Sequence, residues 1–254
     1  MAVGASDAML EGVLGALALR VFAAPSTAMV DITYEVRDRR TKLDVVRIDA
    51  QSCELIDTVD SVDGAADLIA DDIHRWVAEH QSELLLVHSG AVEWKGAGIV
   101  VPGRSHHGKS SLVVALLEAG ATYLSDEFAP LDRVGNVHPY PRHLSLRDDT
   151  GAATLVAAAD LSAATSAGPV PVRLVVDAPY VVGALFNPVV VRGAGALMIL
   201  ADNALVARSR PALTMAIVAG LVSNVMVLRS PRGDAAMAAR VILDAVDVVA
   251  PVTR

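Results

Sequence analysis

Cysteine is almost absent from this chain of 254 residues: Cys53 stands alone, so neither an intrachain disulfide nor a cysteine-rich metal site can form, and a reducing, cytoplasmic setting is expected. Aromatic residues are scarce at 4%, and positive charge is in deficit, with 21 Lys and Arg against 29 Asp and Glu and a formal net charge of −8. Such a surface repels a phosphate backbone, so nucleic acid is not expected as a partner. Long apolar runs are missing too. Residues 211–228 carry no charge over 18 positions, the lower limit for a spanning helix, but Thr214, Gly220, Ser223 and Asn224 interrupt them. They read as a buried helix, and no membrane is expected as a partner. Residues 13–19 are preceded by Asp7 and Glu11 and followed by Arg20, flanks unlike those of a secretory leader, so they read as part of the mature protein. No internal repeat is present. What the chain does have is apolar mass: 53% of residues, which excludes a disordered chain and suffices for one sizeable domain or a small one attached to a larger one.

Val30, Ile32, Tyr34 and Val36 alternate with Asp31, Thr33, Glu35 and Arg37, the period of a strand with one wet face. Residues 43–48 and 52–58 read as further strands, making roughly the first 60 residues a small β-rich part. Leu68, Ile69, Ile73, Trp76 and Val77 share one helical stripe, with Asp67, Asp71 and Asp72 toward its start, and predict a helix over 65–80. Residues 84–94 and 98–101 read as a hairpin hinged at Lys95-Gly96 and ending at Pro102. Further on, residues 172–176, 180–185 and 196–201 read as strands, and 212–228 and 234–248 as helices. Periodicity does not decide whether the Ala- and Ser-rich residues 152–167 form a helix or a mobile loop. Trp76 and Trp94 read as packing residues.

The informative stretch is Gly103-Arg104-Ser105-His106-His107-Gly108-Lys109-Ser110, which matches G-x-x-x-x-G-K-[ST] in full between an apolar strand and a helix that stops at Gly120. The two glycines let the backbone curl so that successive N–H groups point inward, toward the same point as the positive end of the helix. A polyphosphate fits there. Lys109 is expected to reach its β and γ phosphates, and the Ser110 hydroxyl to join a Mg²⁺ shell, with Ser111 continuing the loop into the helix. Asp126 and Glu127 follow 16 residues after Ser110, with one helix and one short loop between, so local connection alone can return them beside the phosphates. One can hold Mg²⁺ while the other accepts a proton from an attacking hydroxyl. Adjacent loop side chains diverge, so His106 and His107 read as surface histidines and not as a metal pair. His88, on an apolar strand, reads by itself as a satisfied core residue. Arg142, Arg147, Arg192 and Arg208 are candidates for neutralising phosphate charge.

Residues 86–93 (Leu86-Val87-His88-Ser89-Gly90-Ala91-Val92-Glu93), then 103–111, then 121–127 (Ala121-Thr122-Tyr123-Leu124-Ser125-Asp126-Glu127) resemble, in that order and spacing, the catalytic domain of HPr kinase/phosphorylase and its smaller bacterial relatives. From Val137-His138-Pro139-Tyr140-Pro141-Arg142 onward the chain is similar to the HPr kinase-like proteins more than to the parent enzyme, and the resemblance covers roughly residues 84–248. It implies an α/β fold, a P-loop on a mixed sheet with flanking helices similar to phosphoenolpyruvate carboxykinase, with transfer of the γ-phosphoryl of ATP to a serine hydroxyl. By the same resemblance Asp126 matches the aspartate that activates the hydroxyl, Glu127 its metal-associated neighbour, and His88 a histidine close to the phosphates. His106 and His107 stand where the parent family favours small residues, and no segment that contacts HPr is recognisable. The expectation is therefore a P-loop kinase-like domain over 81–254 behind the small β-rich portion and linking helix of 1–80, using ATP and Mg²⁺ on a protein, peptide or small-molecule hydroxyl. Self-association and the reverse phosphorylase reaction are left open. The alternative is a nucleotide-binding regulatory or partner-binding protein of the same fold without catalysis; a transport ATPase fits poorly, for want of a distant Walker B strand.

Overall fold

The computed structural model describes residues 2–4, 7–18, 32–104, 108–147 and 153–249. The chain divides into two compact units, Met1–Val77 and Ala78–Arg254. The first contains β1 (Ala2–Gly4), α1 (Asp7–Ala18), β2 (Ile32–Asp38), β3 (Leu43–Asp49), β4 (Cys53–Val59) and most of α2 (Val62–His80). Its sheet runs β1-β2-β3-β4, parallel at β1–β2 and antiparallel elsewhere. Alternation along β2 puts Ile32, Tyr34 and Val36 inward against Val13 and Leu17 of α1 and Ala66, Ile69 and Ala70 of α2. The helix begins earlier than its apolar stripe predicts, because the Ser61 hydroxyl accepts from the Gly64 N–H at 3.0 Å and caps it. Asp72 is buried, where it accepts from the Tyr34 hydroxyl at 2.7 Å and from Arg47 at 3.0 Å.

The second unit follows with β5 (Leu84–Trp94), β6 (Ala97–Pro102), α3 (Lys109–Glu118), β7 (Thr122–Ser125), β8 (Phe128–Asp132), β9 (Asn136–Val137), β10 (Leu144–Arg147), β11 (Ala153–Val156), β12 (Val170–Asp177), β13 (Val189–Val190), α4 (Ala194–Ala201), α5 (Pro211–Val222), β14 (Met226–Arg229) and α6 (Ala235–Val249). Lys95 and Gly96 both take positive φ, 51° and 79°, the turn whose twist matches the β5–β6 hairpin. The mixed sheet runs β13-β14-β12-β6-β5-β8-β9, and β7 also pairs with β5. β6, β12 and β14 are parallel neighbours, so their carboxyl ends lie along one edge. Both faces are covered. Val100, Val175 and Val227 point toward α4 and α5, whereas Ile99, Val101, Leu174 and Val176 point toward α3 and α6. Central strands buried on two sides read as continuous apolar runs, as these do. Among the described residues no helix is long and apolar enough to cross a membrane.

Three sequence expectations are corrected. Residues 196–201 are helical, within α4: Ala196, Ile199 and Leu200 recur at helical spacing on the buried side, and the run is built of Ala, Leu and Met more than of β-branched residues. Residues 180–185 form no strand beyond a single bridge between Tyr180 and Arg232; the chain turns at Gly183 (φ 73°), with Ala184 N–H donating to Val181 O at 3.1 Å. The helix expected over 212–228 ends at Val222, where Ser223 Oγ and Asn224 Nδ2 donate to the carbonyls of Ala219 and Gly220 at 2.8 and 2.9 Å. The valine-rich residues beyond form β14. Within 152–167, Ala153–Val156 pair with β10 and Ala158–Leu161 make a 3₁₀ turn.

Candidate functional site

The site is organised around the middle of β5. Its first half pairs with β8, its second half with β7, and both partners run antiparallel to it, so β7 and β8 act as one strand interrupted at Asp126-Glu127. The interruption is a bulge: Glu127 takes φ 82°, Ser89 N–H donates to its carbonyl at 3.0 Å, and Ser125 Oγ donates to Phe128 O across it. A bulge re-aims a side chain, and here it turns Asp126 toward α3. Ser110 Oγ donates to Asp126 Oδ2 at 2.7 Å. Asp126 is 3% exposed, and its second oxygen, Oδ1, is buried without a hydrogen-bond partner among the described residues.

Gly90 makes this closeness feasible, because a Cβ there would lie 2.4 Å from Val113 Cγ2 of α3 and 3.7 Å from Asp126 Oδ1. On the neighbouring strand, Gly103 N–H donates to His88 O at 3.2 Å as β6 runs out. Gly108, at φ 74°, leads into α3, and Gly120 at φ 99° ends it, its N–H donating to Leu117 O at 2.9 Å. Lys109 Nζ lies 3.2 Å from His88 Nε2 and donates to Arg104 O at 3.2 Å. Burial lowers the pKa of Lys109 against the opposing pull of Asp126 and Glu127. Burial raises that of Asp126, and Glu127 adds to the rise, while the Ser110 hydrogen bond, Lys109 and Arg142 oppose it.

Residues 138–143 run beside β7, with Tyr140 N–H on Leu124 O at 2.9 Å and the Tyr123 hydroxyl on Arg142 O at 2.7 Å. That path delivers Arg142 Nη1 to Glu127 Oε2 at 2.8 Å, the guanidinium nearly buried and the carboxylate a third exposed. His88 also faces Phe128, their ring centroids 5.8 Å apart.

The fold thus brings together His88, Gly103, Arg104, Gly108, Lys109, Ser110, Asp126 and Glu127, with Ser111 exposed on the first turn of α3. Ser105, His106 and His107 lie outside the described residues. Of the arginines, Arg142 joins the site through Glu127. Arg192 lines a separate cavity of about 660 Å³ against β14 and α5, Arg208 is exposed in the turns before α5, and the Arg147 side chain lies outside the described residues. Sequence reasoning missed two residues. Tyr180 follows β12 and Arg232 follows β14, and at Gly108 a Cβ would meet Arg232 Nη2 at 2.8 Å and Tyr180 Cβ at 3.1 Å. The available signal was the rule that open α/β sheets gather their sites at the carboxyl ends of parallel strands; it was hidden because β14 read as the end of a helix.

The oxygens of Ser110, Asp126 and Glu127 are a hard donor set, and the orphaned Asp126 Oδ1 fits a small divalent cation. Among the described residues no three His, Cys, Asp or Glu side chains gather as a metal cage, so such an ion would complete its shell with phosphate and water.

No protein-family model matches the chain, and no curated protein matches it. Among solved structures it is similar to the Hpr(Ser) kinase/phosphatase from Coxiella burnetii, at 15% identity over 64% of this chain and 88% of that one, with a TM-score of 0.42.

Proposed function

We propose that this protein is an ATP-dependent kinase that transfers the γ-phosphoryl group to a hydroxyl, that of a protein or peptide serine or of a small molecule. The observation that carries the reading is the buried Asp126, bonded to the Ser110 hydroxyl of a complete phosphate-loop sequence and keeping one carboxylate oxygen unspent. Backbone N–H groups from Gly108 into α3 and the Lys109 ammonium bind and orient the phosphates. His88 Nε2, acting as acceptor, holds Lys109 in that position. Ser110 and Glu127 would hold Mg²⁺, which would supply charge neutralisation on the phosphates when bound. Asp126 accepts the proton of the acceptor hydroxyl as its oxygen bonds to the γ-phosphorus and the bond to the β-phosphate oxygen breaks, releasing ADP. Its burial makes it a stronger base than an exposed carboxylate. Glu127 is pinned beside it by Arg142 at 2.8 Å.

The test is radiolabelled ATP offered with a panel of hydroxyl acceptors to the wild type, Lys109→Ala and Asp126→Asn. Lys109→Ala is expected to lose ATP turnover while remaining folded, and Asp126→Asn to bind nucleotide and lose transfer. Undiminished turnover in Lys109→Ala rejects the reading, and undiminished transfer in Asp126→Asn removes that residue as the base. ATP bound by the wild type without ADP formation across the panel favours the silent, regulatory alternative.

A further inference from the structure

Arg232 heads the largest wholly buried side chains among the described residues, 1% exposed, and it sits where the parallel strands β6, β12 and β14 end. Its guanidinium is fixed on several sides. Nη2 donates to the Gly108 carbonyl, Nη1 donates to Gly233 O at 3.4 Å, and the Tyr180 ring centroid lies 6.0 Å from Cζ. Nε is buried with no hydrogen-bond partner among the described residues.

Among the described residues Arg232 lacks an ion-pair partner. Arg142, the other enclosed arginine of the site, has Glu127 at 2.8 Å, whereas Asp234 gives Arg232 a favourable field but no ion pair among the described residues. Burial accordingly depresses the pKa of Arg232. An unpaired cation is among the costliest groups to bury, and this one stands against the glycine that opens α3, where the helix dipole already concentrates positive potential. Two positive features that repel each other become favourable together once an anion lies between or beside them.

We propose that Arg232 is a positioning residue for a bound polyphosphate: it braces the Gly108 carbonyl so that the loop keeps its left-handed turn, and its buried charge is balanced by the ligand's phosphates. The inference rests on the nucleotide-binding reading above. Tyr180, which follows β12 as Arg232 follows β14, stands against the same side of Gly108, its Cβ 3.1 Å from where a Cβ there would lie and its ring centroid 6.0 Å from the guanidinium carbon.

The full chain is titrated with ADP and Mg²⁺ by calorimetry as wild type, Lys109→Ala, Arg232→Met and Arg232→Lys, and the nucleotide-free Tm of each is measured. Arg232→Met is expected to lose at least about tenfold in ADP affinity while its nucleotide-free Tm stays at or above the wild-type value, because an uncompensated buried charge has gone. Arg232→Lys, which keeps the charge without the planar fork, is expected to fall between. Should Arg232→Met fail to fold, Arg232→Lys decides on the same two readouts. A merely structural arginine would lower Tm and leave the affinity of the folded protein unchanged, and that result overturns the proposal. Wild-type affinity in both Arg232 variants with binding lost in Lys109→Ala overturns it alone; no ADP binding by the wild type overturns it together with the kinase reading.

Discussion

A methyl group added at position 90 tests the architecture under the site. Gly90 lies in β5 with ordinary backbone geometry, so the demand for glycine is one of space: its Cβ would stand 2.4 Å from Val113 Cγ2, about 1 Å short of the tightest ordinary contact. Val113 cannot swing away, because a β-branched side chain in a helix holds one rotamer and this one is wholly buried in the core between the sheet and α3 and α6. The strain therefore falls on α3. Overpacking of this kind costs about 1–3 kcal/mol, and in a unit of this size about 2 kcal/mol lowers Tm by roughly 4–8 °C. Because α3 starts at Lys109, its displacement also lengthens the 2.7 Å Ser110–Asp126 and 3.2 Å Lys109–His88 contacts. The assay is a double-mutant cycle of Gly90→Ala and Val113→Ala, read by urea unfolding and by ADP titration. Val113→Ala alone gives up about 1.5 kcal/mol of buried methyl groups. The pair is expected to be less destabilised than the sum of the singles by about 1 kcal/mol or more, since the new methyl fills the vacated space. Additive losses, or a Gly90→Ala protein within about 0.5 kcal/mol of wild type, refute the argument that α3 is pressed against β5.

Two further outcomes follow from hydrogen-bonded carboxylates elsewhere. In the first unit, Asp72→Ala removes the shared partner of Tyr34 and Arg47 and is expected to cost about 2–3 kcal/mol. The chain has two tryptophans, Trp76 and Trp94, one in each unit, so a Trp94→Phe background lets fluorescence follow the first unit alone; an unchanged urea midpoint contradicts the assignment. In the second unit, burial works to raise the pKa of Asp132, but N–H donation from Asn136 and Val134 and contacts to His138 and the Asn136 side chain leave it below the ordinary 3.8. A depressed carboxylate stabilises the fold above its unfolded value and loses that contribution as pH falls through the folded one. Asp132→Asn is therefore expected to be about 1 kcal/mol less stable than wild type at neutral pH, with the gap closing as pH drops below 3.8; a gap constant from pH 7 to pH 3 contradicts it.

Much of the candidate site was legible because it is local. The glycine spacing of residues 103–110, the helix after it with its stop at Gly120, and the Asp126-Glu127 pair are joined by short connections, so no long-range topology had to be guessed. The Lys95-Gly96 turn and the helix of residues 234–248 were equally plain, one from turn chemistry and the other from an apolar stripe. Residues 196–201 and 225–229 were not, because a short apolar run suits a buried helix and a buried strand alike. What it packs against chooses between them.

The sequence alone determined that a G-x-x-x-x-G-K-S segment would be followed within one helix by paired acids, since backbone reach and residue type settle that much. Tertiary structure decided which way those acids face and what else meets them. A bulge aims Asp126 at Ser110, and the insertion of β14 beside β12 brings Arg232 to a glycine 124 residues away in sequence. Parallel pairing is set by the sum of side-chain packing over a whole sheet, and no local pattern of residues encodes that sum.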